Sequence, residues 1–495
     1  MRFRLILPVL AVILSSLPAQ YEGAKPVPQG LKKGFASISP DYCEEILSYL
    51  AGPECQGRGT GTDGYQKAAD FVAARFKEFG LKPIGEKGTY FQHVPFTVAR
   101  TDPKSHLKFR NLKLRCGEHV AFRAADVETE AEVVFVTGGF QFLLETPTKL
   151  NRRIVILHGD VTRRSSGVRR QMRRNRPAAI LAVADSVQKP VWTPSSRRRR
   201  RTTQVNGSIT LAAAKRLAKA IGVGERALTV AEGEEDGNVT TPASGRNVAL
   251  VVKKETKSRG VPNVVGLLEG SDPKLKKQTV IAGSHLDHLG VGTNGVVYPG
   301  ADDDGSGSAA LVALARALSK NPRKPKRSVL FLAFCGEERG LVGSRYYTDH
   351  PIIPLEDAIC ELQMDMVGRN EEHHPSENRT NEKGEDNVKT THLIGSKRIS
   401  QELHETVLAM NEHIGFTLEY DQEGVYTRSD HYMFARKGIP ISFFFSGFHK
   451  DYHRPSDTVD KINFTKIANT AKLVYLTVHA VGNKPHRLKR ERKSR

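Results

Sequence analysis

Cysteine, tryptophan and long apolar runs are all scarce in this chain of 495 residues, which has 5 cysteines and 1 tryptophan. Because this cysteine count is odd and sparse, a disulfide framework does not hold the fold, although Cys43 and Cys55 could pair in an oxidising compartment. The cysteines also lack the spacing of a zinc ribbon. Beyond the amino-terminal segment, no stretch is apolar enough to form a membrane helix. The length allows a large buried core and more than one domain.

Acidic residues are too few to balance the basic ones, since 75 lysines and arginines face 54 aspartates and glutamates, for a net charge of +21. The excess is concentrated in residues 163–201, with thirteen basic residues and one acidic residue, and in residues 484–495, with seven and one. Aromatic residues do not interleave with these arginines, so a stacking platform for single-stranded nucleic acid is unsupported. We expect solvated surface and no specific nucleic-acid partner; the alternative is contact with anionic surfaces.

The amino-terminal stretch "MRFRLILPVLAVILSSLPAQ" begins with basic residues, continues with an apolar segment and ends in small residues. This layout predicts that residues 1–20 are a secretory signal peptide. The apolar segment, Leu5 to Leu17, is too short to span a bilayer comfortably. We therefore expect a periplasmic or extracellular protein whose mature form has no transmembrane segment.

The remaining chain divides into four regions by composition and periodicity. We expect residues 21–125 to begin the main domain, 126–235 to form a smaller β-rich insert with the basic loops, 236–482 to complete the main domain, and 483–495 to be a basic tail. From about residue 278 onward, predicted strands and helices alternate. This alternation predicts an α/β fold, with a mostly parallel mixed sheet and helices on both faces. Functional sites in such sheets lie outside the carboxyl ends of the strands.

Polar side chains collect where these strands end. The first strand, in "QTVIAGSHLDHLG", ends in His285-Leu286-Asp287, the second, "SVLFLAFCGEE", ends in Glu337-Glu338, and the third, in "AICELQMDMVG", ends in Asp365. The run "ADDD", at 301–304, precedes the first helix, and His453 follows the last strand. So many carboxylates at one edge of a sheet would repel one another unless a divalent metal centre lay between them.

The residue types favour zinc, because imidazole and carboxylate without thiolate suit Zn²⁺ better than Ca²⁺. Two histidines and three acidic groups exceed the three protein ligands of a single catalytic zinc, so they suit two ions that share a bridging carboxylate. Asp287, two residues after His285, should point to the same side and hold the free ring N–H. His288 is expected to face solvent, and Asp302 and Asp304 to cap the following helix.

Five segments, "SHLDHLG", "PGADDDGSG", "FCGEERGLVGS", "LQMDMVG" and "DYHRPSDT", resemble in order the metal-site motifs of the co-catalytic di-zinc aminopeptidases. That family also includes glutamate carboxypeptidase-like enzymes. The resemblance covers about residues 40 to 482 and implies a zinc-exopeptidase fold of the phosphorylase/hydrolase-like type. The insert falls where many members carry a protease-associated domain. The basic loops depart from the usual pattern of that domain.

The resemblance implies a role for each candidate metal ligand. Asp303, the middle aspartate of its run, would bridge two Zn²⁺ ions. Glu338 and His453 would complete one ion, and His285 and Asp365 the other.

The resemblance also implies an exopeptidase mechanism. Glu337 would be the general base, Asp287 would orient His285, and Tyr426 in "GVYTRSDHY" would stabilise the oxyanion, with Asp430 in support. The implied activity is removal of amino-terminal residues from peptides. A carboxypeptidase or dipeptidase of the same family remains open, as do a glutaminyl cyclase-like transferase with one zinc and a receptor-like binding module. The complete set of ligand positions disfavours the last two.

Overall fold

The computed structural model describes residues 20–137, 150–159, 176–194, 204–228, 239–240, 245–377 and 383–491. The strands are β1 (Phe91–Thr101), β2 (His106–Phe109), β3 (Leu112–Arg115), β4 (Val120–Phe122), β5 (Val127–Thr137), β6 (Ile154–His158), β7 (Ala179–Ala184), β8 (Thr193–Pro194), β9 (Val205–Thr210), β10 (Val239–Thr240), β11 (Asn247–Val252), β12 (Lys254–Leu268), β13 (Thr279–His285), β14 (Gly290–Val291), β15 (Val297–Tyr298), β16 (Ser328–Phe334), β17 (Ala358–Met364), β18 (Thr390–Ile394), β19 (Thr417–Glu419) and β20 (Ile441–Phe445). The helices are α1 (Lys32–Ala36), α2 (Pro40–Leu50), α3 (Asp63–Glu78), α4 (Leu211–Ala220), α5 (Gly307–Lys320), α6 (Val342–Asp349), α7 (Gln401–Asn411), α8 (His431–Arg436) and α9 (Phe464–Gly482).

The main sheet has the strand order β19-β18-β20-β17-β13-β16-β12-β1-β8. Its centre is parallel, because β13 pairs in parallel with both β16 and β17, and β17 pairs in parallel with β20. Antiparallel pairs flank this centre, between β16 and β12 on one side and between β20 and β18 on the other. Every residue of β13, β16 and β17 is buried, as expected for central parallel strands covered on both faces.

Helices cover both faces of the main sheet, which confirms the predicted α/β class. The larger core lies on the face covered by α2, α3, α5 and α9. Side chains of α6 and α8 pack on the other face, where Tyr347 and Phe434 join Leu330 and Leu332 of β16. The longest of these helices, α9, begins at Asn463, whose side chain accepts a hydrogen bond from the Lys466 backbone N–H.

A second sheet has the strand order β3-β2-β11-β5-β6-β7-β9-β4, with β10 added beside β5. It has a hydrophobic core of its own, in which α4 packs against the strands. This sheet extends beyond the predicted insert of residues 126–235, since β2, β3, β4 and β11 lie outside those bounds. The first three are only three or four residues long, too short for an alternating pattern to reveal them.

Four further predictions concern the signal peptide, the arginine-rich segment, the pairing of two cysteines and the absence of a membrane helix. Residues 1–19 of the predicted signal peptide lie outside the described residues, as do most of the arginines of residues 163–201. Cys43 and Cys55, which could have paired, are both free and buried. Among the described residues, no helix is long and apolar enough to cross a membrane.

Candidate metal centre

The central strands bring the predicted ligands to one edge of the main sheet. His285 is the last residue of β13, Asp365 directly follows β17, and Glu338 lies four residues after the end of β16. Asp303 lies in the turn that precedes α5, and His453 lies on the loop after β20. The carboxyl ends of parallel strands share one edge of a sheet. Residues from five separate segments therefore meet in what we call the five-residue cluster.

Asp303 stands at the centre of the five-residue cluster. Its Oδ1 lies 3.3 Å from His285 Nε2, and its Oδ2 lies 3.0 Å from His453 Nε2. On the first side, Asp365 Oδ1 is 3.5 Å from His285 Nε2. On the second side, Glu338 Oε1 is 3.3 Å from His453 Nε2. One carboxylate thus faces two imidazole–carboxylate pairs, which is the arrangement that a bridging ligand between two ions requires.

The donor atoms of this cluster fit divalent cations. Asp303 Oδ2 and Glu338 Oε1 are buried and make no hydrogen bond. Although burial raises the pKa of Asp303, the imidazoles of His288, His285 and His453 hold it well below its usual range. Burial lowers the pKa of His453, but the adjacent carboxylates of Asp303 and Glu338 raise it to about 11. Without a cation, the cluster can balance its carboxylates only by protonating these imidazoles, so a metal ion would take the place of those protons.

His288 also belongs to this site, and the expectation that it faces solvent is wrong. Its side chain is fully buried, and its Nδ1 lies 3.0 Å from Glu338 Oε1 and 3.6 Å from Asp303 Oδ2. The chain turns inward after β13, where the His288 backbone N–H donates to the Arg58 carbonyl oxygen. His288, Asp303 and Glu338 could themselves hold an ion. His288 lies one residue after Asp287, and that position in the sequence does not reveal the inward turn of the chain.

Part of the sequence around the five-residue cluster matches a known protein family. Residues 263–478 match the profile of peptidase family M28, and all members of the five-residue cluster fall in this segment. The match covers less than half of the 495 residues, so it shows that this segment resembles peptidase family M28. The resemblance to the co-catalytic zinc peptidases is thereby confirmed.

Curated relatives match about half of the length of this chain. Aminopeptidase YwaD of Bacillus subtilis is 28% identical over 273 residues, which cover 53% of this chain and 54% of that protein. Leupeptin-inactivating enzyme 1 of Streptomyces exfoliatus is 27% identical over 241 residues, which cover 44% of this chain and 48% of that protein. The chain therefore spans about half the length of the curated relatives it matches.

Two solved structures share the fold across nearly the whole chain. The aminopeptidase from Aneurinibacillus sp. strain AM-1 has a TM-score of 0.51 and 22% identity, covering 93% of this chain and 98% of its own. A zinc aminopeptidase from Bacillus subtilis has a TM-score of 0.54 and 18% identity, covering 92% and 96%. At this level of identity, the likeness confirms the predicted fold and nothing beyond it.

Asp287 contacts His285 through a different atom from the one predicted. The His285 Nδ1 lies 2.9 Å from the backbone carbonyl oxygen of Asp287, not from its carboxylate. The carboxylate instead accepts hydrogen bonds from the Thr60 hydroxyl and from the backbone N–H of Glu337. Asp287 therefore couples the orientation of the imidazole to the position of the predicted general base.

The remaining aspartates of the run hold the turn in place. Asp304 accepts hydrogen bonds from the backbone N–H groups of His285, Gly307 and Met366, so it caps α5 as predicted and also ties α5 to two strand ends. Asp302 is not a simple helix cap, because its Oδ1 accepts from the Gly368 N–H. The chain passes through this turn in a non-helical conformation, which directs the two carboxylates differently.

Arg58 and Asp457 support the same turn, and the sequence alone did not single out either one. The guanidinium of Arg58 is fully buried and donates to the carbonyl oxygens of Leu286, Leu50, Pro299 and Gly300. The Asp457 carboxylate accepts from the backbone N–H groups of Asp302 and Asp303. Both side chains act on backbone groups, and backbone contacts leave no spacing signal in a sequence.

Glu337 lies in an environment that suits a proton acceptor. Burial raises the pKa of Glu337 well above its ordinary value, and the carboxylates of Glu338, Asp430 and Asp365 raise it further against the opposing effect of His285. Asp430 is also buried, which raises its own pKa to about 7. A carboxylate with a raised pKa is a stronger base than an exposed one.

Two tyrosines lie in this region, and only one of them was predicted. Tyr426 packs under the Arg398 guanidinium, whose central carbon is 3.9 Å from the ring centroid, and its ring contacts His431. Tyr452 stacks on His453 with ring centroids 3.9 Å apart. Burial and then the carboxylates of the five-residue cluster raise the Tyr452 pKa. The oxyanion role of Tyr426 stays a prediction. The Tyr452 hydroxyl, in contrast, interacts electrostatically with the carboxylates of the five-residue cluster.

Proposed function

We propose that this chain is a zinc-dependent aminopeptidase that binds two Zn²⁺ ions and removes amino-terminal residues from peptides. The observation that carries the proposal is the position of Asp303, whose two oxygens face His285 and His453 respectively. Asp365 would complete the first ion and Glu338 the second. Imidazole and carboxylate donors without thiolate are those that Zn²⁺ takes in catalytic sites. The relatives named as aminopeptidases support the reaction class.

When bound, the ions would polarise the scissile carbonyl and lower the pKa of water at the site. Glu337 accepts the proton of the attacking water on a carboxylate oxygen and then donates it to the leaving amine. Asp287 holds the backbone N–H of Glu337 at 3.1 Å, so the base stays in register with the imidazole of His285. Tyr452, which stacks on His453, and Tyr426 are the candidate donors to the oxyanion.

A cleft gives peptides access to this site. It has a volume of about 2200 Å³ and is lined by residues of both sheets, including Glu338 of the five-residue cluster and its neighbour Arg339. Because single small-molecule pockets measure about 300–1,000 Å³, this cleft has room for several residues of an extended peptide. We infer that the part of the substrate beyond the scissile bond lies in it. Its lining includes the cationic side chains Arg100, Arg123, Lys189 and Lys254.

Metal content and terminal specificity test the proposal together. We expect two zinc ions at the five-residue cluster, hydrolysis of aminoacyl-nitroanilides, and cleavage of carboxyl-blocked but not amino-blocked dipeptides. Cleavage of amino-blocked dipeptides alone would instead identify a carboxypeptidase. A single zinc ion with cyclisation of amino-terminal glutamine would identify a glutaminyl cyclase. Two bound ions without turnover of any substrate would indicate a receptor-like module.

We further propose that the protein is exported by residues 1–20 and that its basic segments contact anionic surfaces without reading nucleic-acid sequence. The concentration of positive charge in residues 163–201 and 484–495 supports this proposal. Binding of this kind weakens as salt increases, because it depends on counterion release. Sedimentation with anionic vesicles at low and physiological salt measures it. Sequence-selective retention of DNA at physiological salt would contradict it.

A further inference from the structure

A second group of imidazole and carboxylate side chains lies on the outer strands of the main sheet and shares no residue with the five-residue cluster. We call it the His392 cluster, and its members are Glu371, His392, Glu419 and Asp421. His392 and Glu371 are buried, whereas the Glu419 side chain is 33% exposed and the Asp421 side chain 65% exposed. The cluster is therefore closed on one side and open to solvent on the other.

Backbone pairing fixes the members of the His392 cluster in place. His392 and Glu419 are direct partners in the parallel pair of β18 and β19, so their side chains leave the sheet on the same face. Asp421 follows two residues after Glu419. Glu371 reaches the imidazole from the segment after β17, where Gln422 donates to its Oε1. This arrangement is built by the fold and does not depend on the chance approach of long surface side chains.

The hydrogen bond to Glu371 decides which imidazole nitrogen is available. His392 Nε2 lies 2.9 Å from Glu371 Oε2, and because a carboxylate only accepts, the ring proton belongs on Nε2. The lone pair of the neutral ring then lies on Nδ1, which is buried and makes no hydrogen bond. Nδ1 is 3.0 Å from Asp421 Oδ1 and 3.8 Å from Glu419 Oε2. A lone pair directed at two carboxylates is repulsive unless a proton or a cation lies between them.

The spacing of these donor atoms matches a metal site. Zinc binds nitrogen and oxygen ligands at about 2.0–2.2 Å, which places the ligands of a tetrahedral ion roughly 3.4 Å apart. The two distances from Nδ1 lie on either side of that value. A carboxylate that accepts from the far ring nitrogen of a histidine is also the usual support of a metal-bound imidazole. Glu371 occupies that supporting position.

The charge balance points the same way. Three carboxylates surround one imidazole, and the cation that faces them from α9 is Lys466, which is buried and donates to the carbonyl oxygens of Arg369 and Asn387. Burial lowers the pKa of Lys466 to about 7, so its charge is only partly available near neutral pH. A divalent ion would bring two positive charges to these carboxylates, whereas a proton on His392 brings one.

We propose that the His392 cluster binds a divalent transition-metal ion such as Zn²⁺ through His392 Nδ1, Glu419 and Asp421, with Glu371 orienting the ring. The imidazole ligand favours such an ion over Ca²⁺ or Mg²⁺, which prefer oxygen ligands alone. The open side leaves room for water as a further ligand. Bound metal would hold the three-residue strand β19 and the turn at Asp421–Val425 against the sheet. The proposal does not rest on the proposed peptidase activity.

Zinc stoichiometry of the full chain tests this site. The protein is stripped with a chelator, dialysed against Zn²⁺ and assayed for bound zinc by mass spectrometry. We expect the double variant Glu419→Gln/Asp421→Asn to bind one ion fewer per chain than the wild type. Both substitutions keep side-chain size and lie on the exposed side, so the fold should be retained. The matched control Glu405→Gln/Glu412→Gln, which changes two exposed glutamates elsewhere, should bind as many ions as the wild type.

The same comparison in an Asp303→Asn background separates this site from the five-residue cluster, because the difference of one ion should remain when the bridging carboxylate is absent. Hydrogen exchange gives an independent measurement. Zinc should slow exchange in residues 417–425 of the wild type and leave the double variant unchanged. Equal zinc contents in wild type and double variant would overturn the proposal and show that a proton occupies the cluster.

Discussion

Glu337 and Glu338 are adjacent, yet the structure gives them different surroundings. The Glu338 carboxylate contacts the imidazoles of His288 and His453. Glu337 is held through its backbone by Asp287, and its carboxylate gains its raised pKa from burial among other carboxylates. The two residues lie in the turn that follows β16, where the backbone N–H groups of Gly340 and Leu341 donate to the Glu337 carbonyl oxygen. The pair can therefore supply a metal ligand and a base from a single strand end.

Replacing Glu337 separates these two tasks. We expect Glu337→Gln to keep its bound zinc and to lose about 10²–10⁴-fold in kcat, because the amide cannot accept the proton of the attacking water. The measurement is kcat on aminoacyl-nitroanilides together with zinc content. Glu356→Gln, which changes an exposed glutamate, serves as the control. A Glu337→Gln variant with near wild-type turnover would contradict the assignment of the base.

His288 provides a second test at the scale of single residues. Its contact with Glu338 should stabilise the orientation of that ligand, so we expect His288→Asn to weaken zinc binding about 10–100-fold. Titration of the chelator-stripped protein with zinc measures the affinity. Activity should recover at saturating zinc if His288 only positions Glu338. Unchanged zinc affinity would mean that the contact at 3.0 Å contributes nothing to the site.

Contacts between functional side chains were predictable from the sequence. Contacts that a residue makes through its backbone atoms were less predictable. His285, Asp303, Glu338, Asp365 and His453 each stood at the end of a periodic element, so their convergence followed from the sheet. Asp287, in contrast, orients the imidazole with its carbonyl oxygen, an atom that every residue carries. Residue type therefore could not reveal that contact.

At the scale of elements, the parallel centre of the main sheet was predictable because long apolar strands alternate with amphipathic helices there. The second sheet was predicted less well. Its inner strand β11 is separated from β12 by a single residue, yet β11 pairs with β5 and β2, whereas β12 pairs with β1 and β16. One continuous strand-like stretch thus crosses between two sheets. Local periodicity carries no signal for such a change of partner.

The loop before α3 is the element whose contribution can be tested through Arg58. A lysine cannot reproduce the planar fork of donors that reaches four backbone carbonyl oxygens. Each buried acceptor left without a donor costs about 1–3 kcal/mol, so we expect Arg58→Lys to lower the free energy of unfolding by at least about 2 kcal/mol. Urea denaturation measures this change. The control Arg75→Lys, in a partly exposed ion pair, should cost less than about 1 kcal/mol, and an equal cost would contradict the argument.

At the scale of the whole molecule, the charge of the chain is distributed unevenly between surface and core. The excess positive charge is concentrated in residues 163–201 and 484–495, whereas the interior of the main domain contains a few buried lysines and arginines. Lys472 of α9 is one of them, and its Nζ lies 5.2 Å from the centroid of the Phe35 ring. Burial lowers the pKa of Lys472 to about 8. The stability of the molecule is thereby linked to pH.

The sign of this linkage follows from the two pKa values of Lys472, about 8 in the folded protein and 10.5 for an ordinary lysine. Between these values the unfolded chain binds more protons than the folded one, so the free energy of unfolding should rise as pH increases from 8 to 10.5. The total rise should reach roughly 3 kcal/mol, since one pKa unit corresponds to about 1.4 kcal/mol. Lys472→Met should lose this rise relative to the wild type in urea denaturation at several pH values. The exposed control Lys33→Met should keep it, and parallel curves for the wild type and Lys472→Met would show that the buried lysine carries no such linkage.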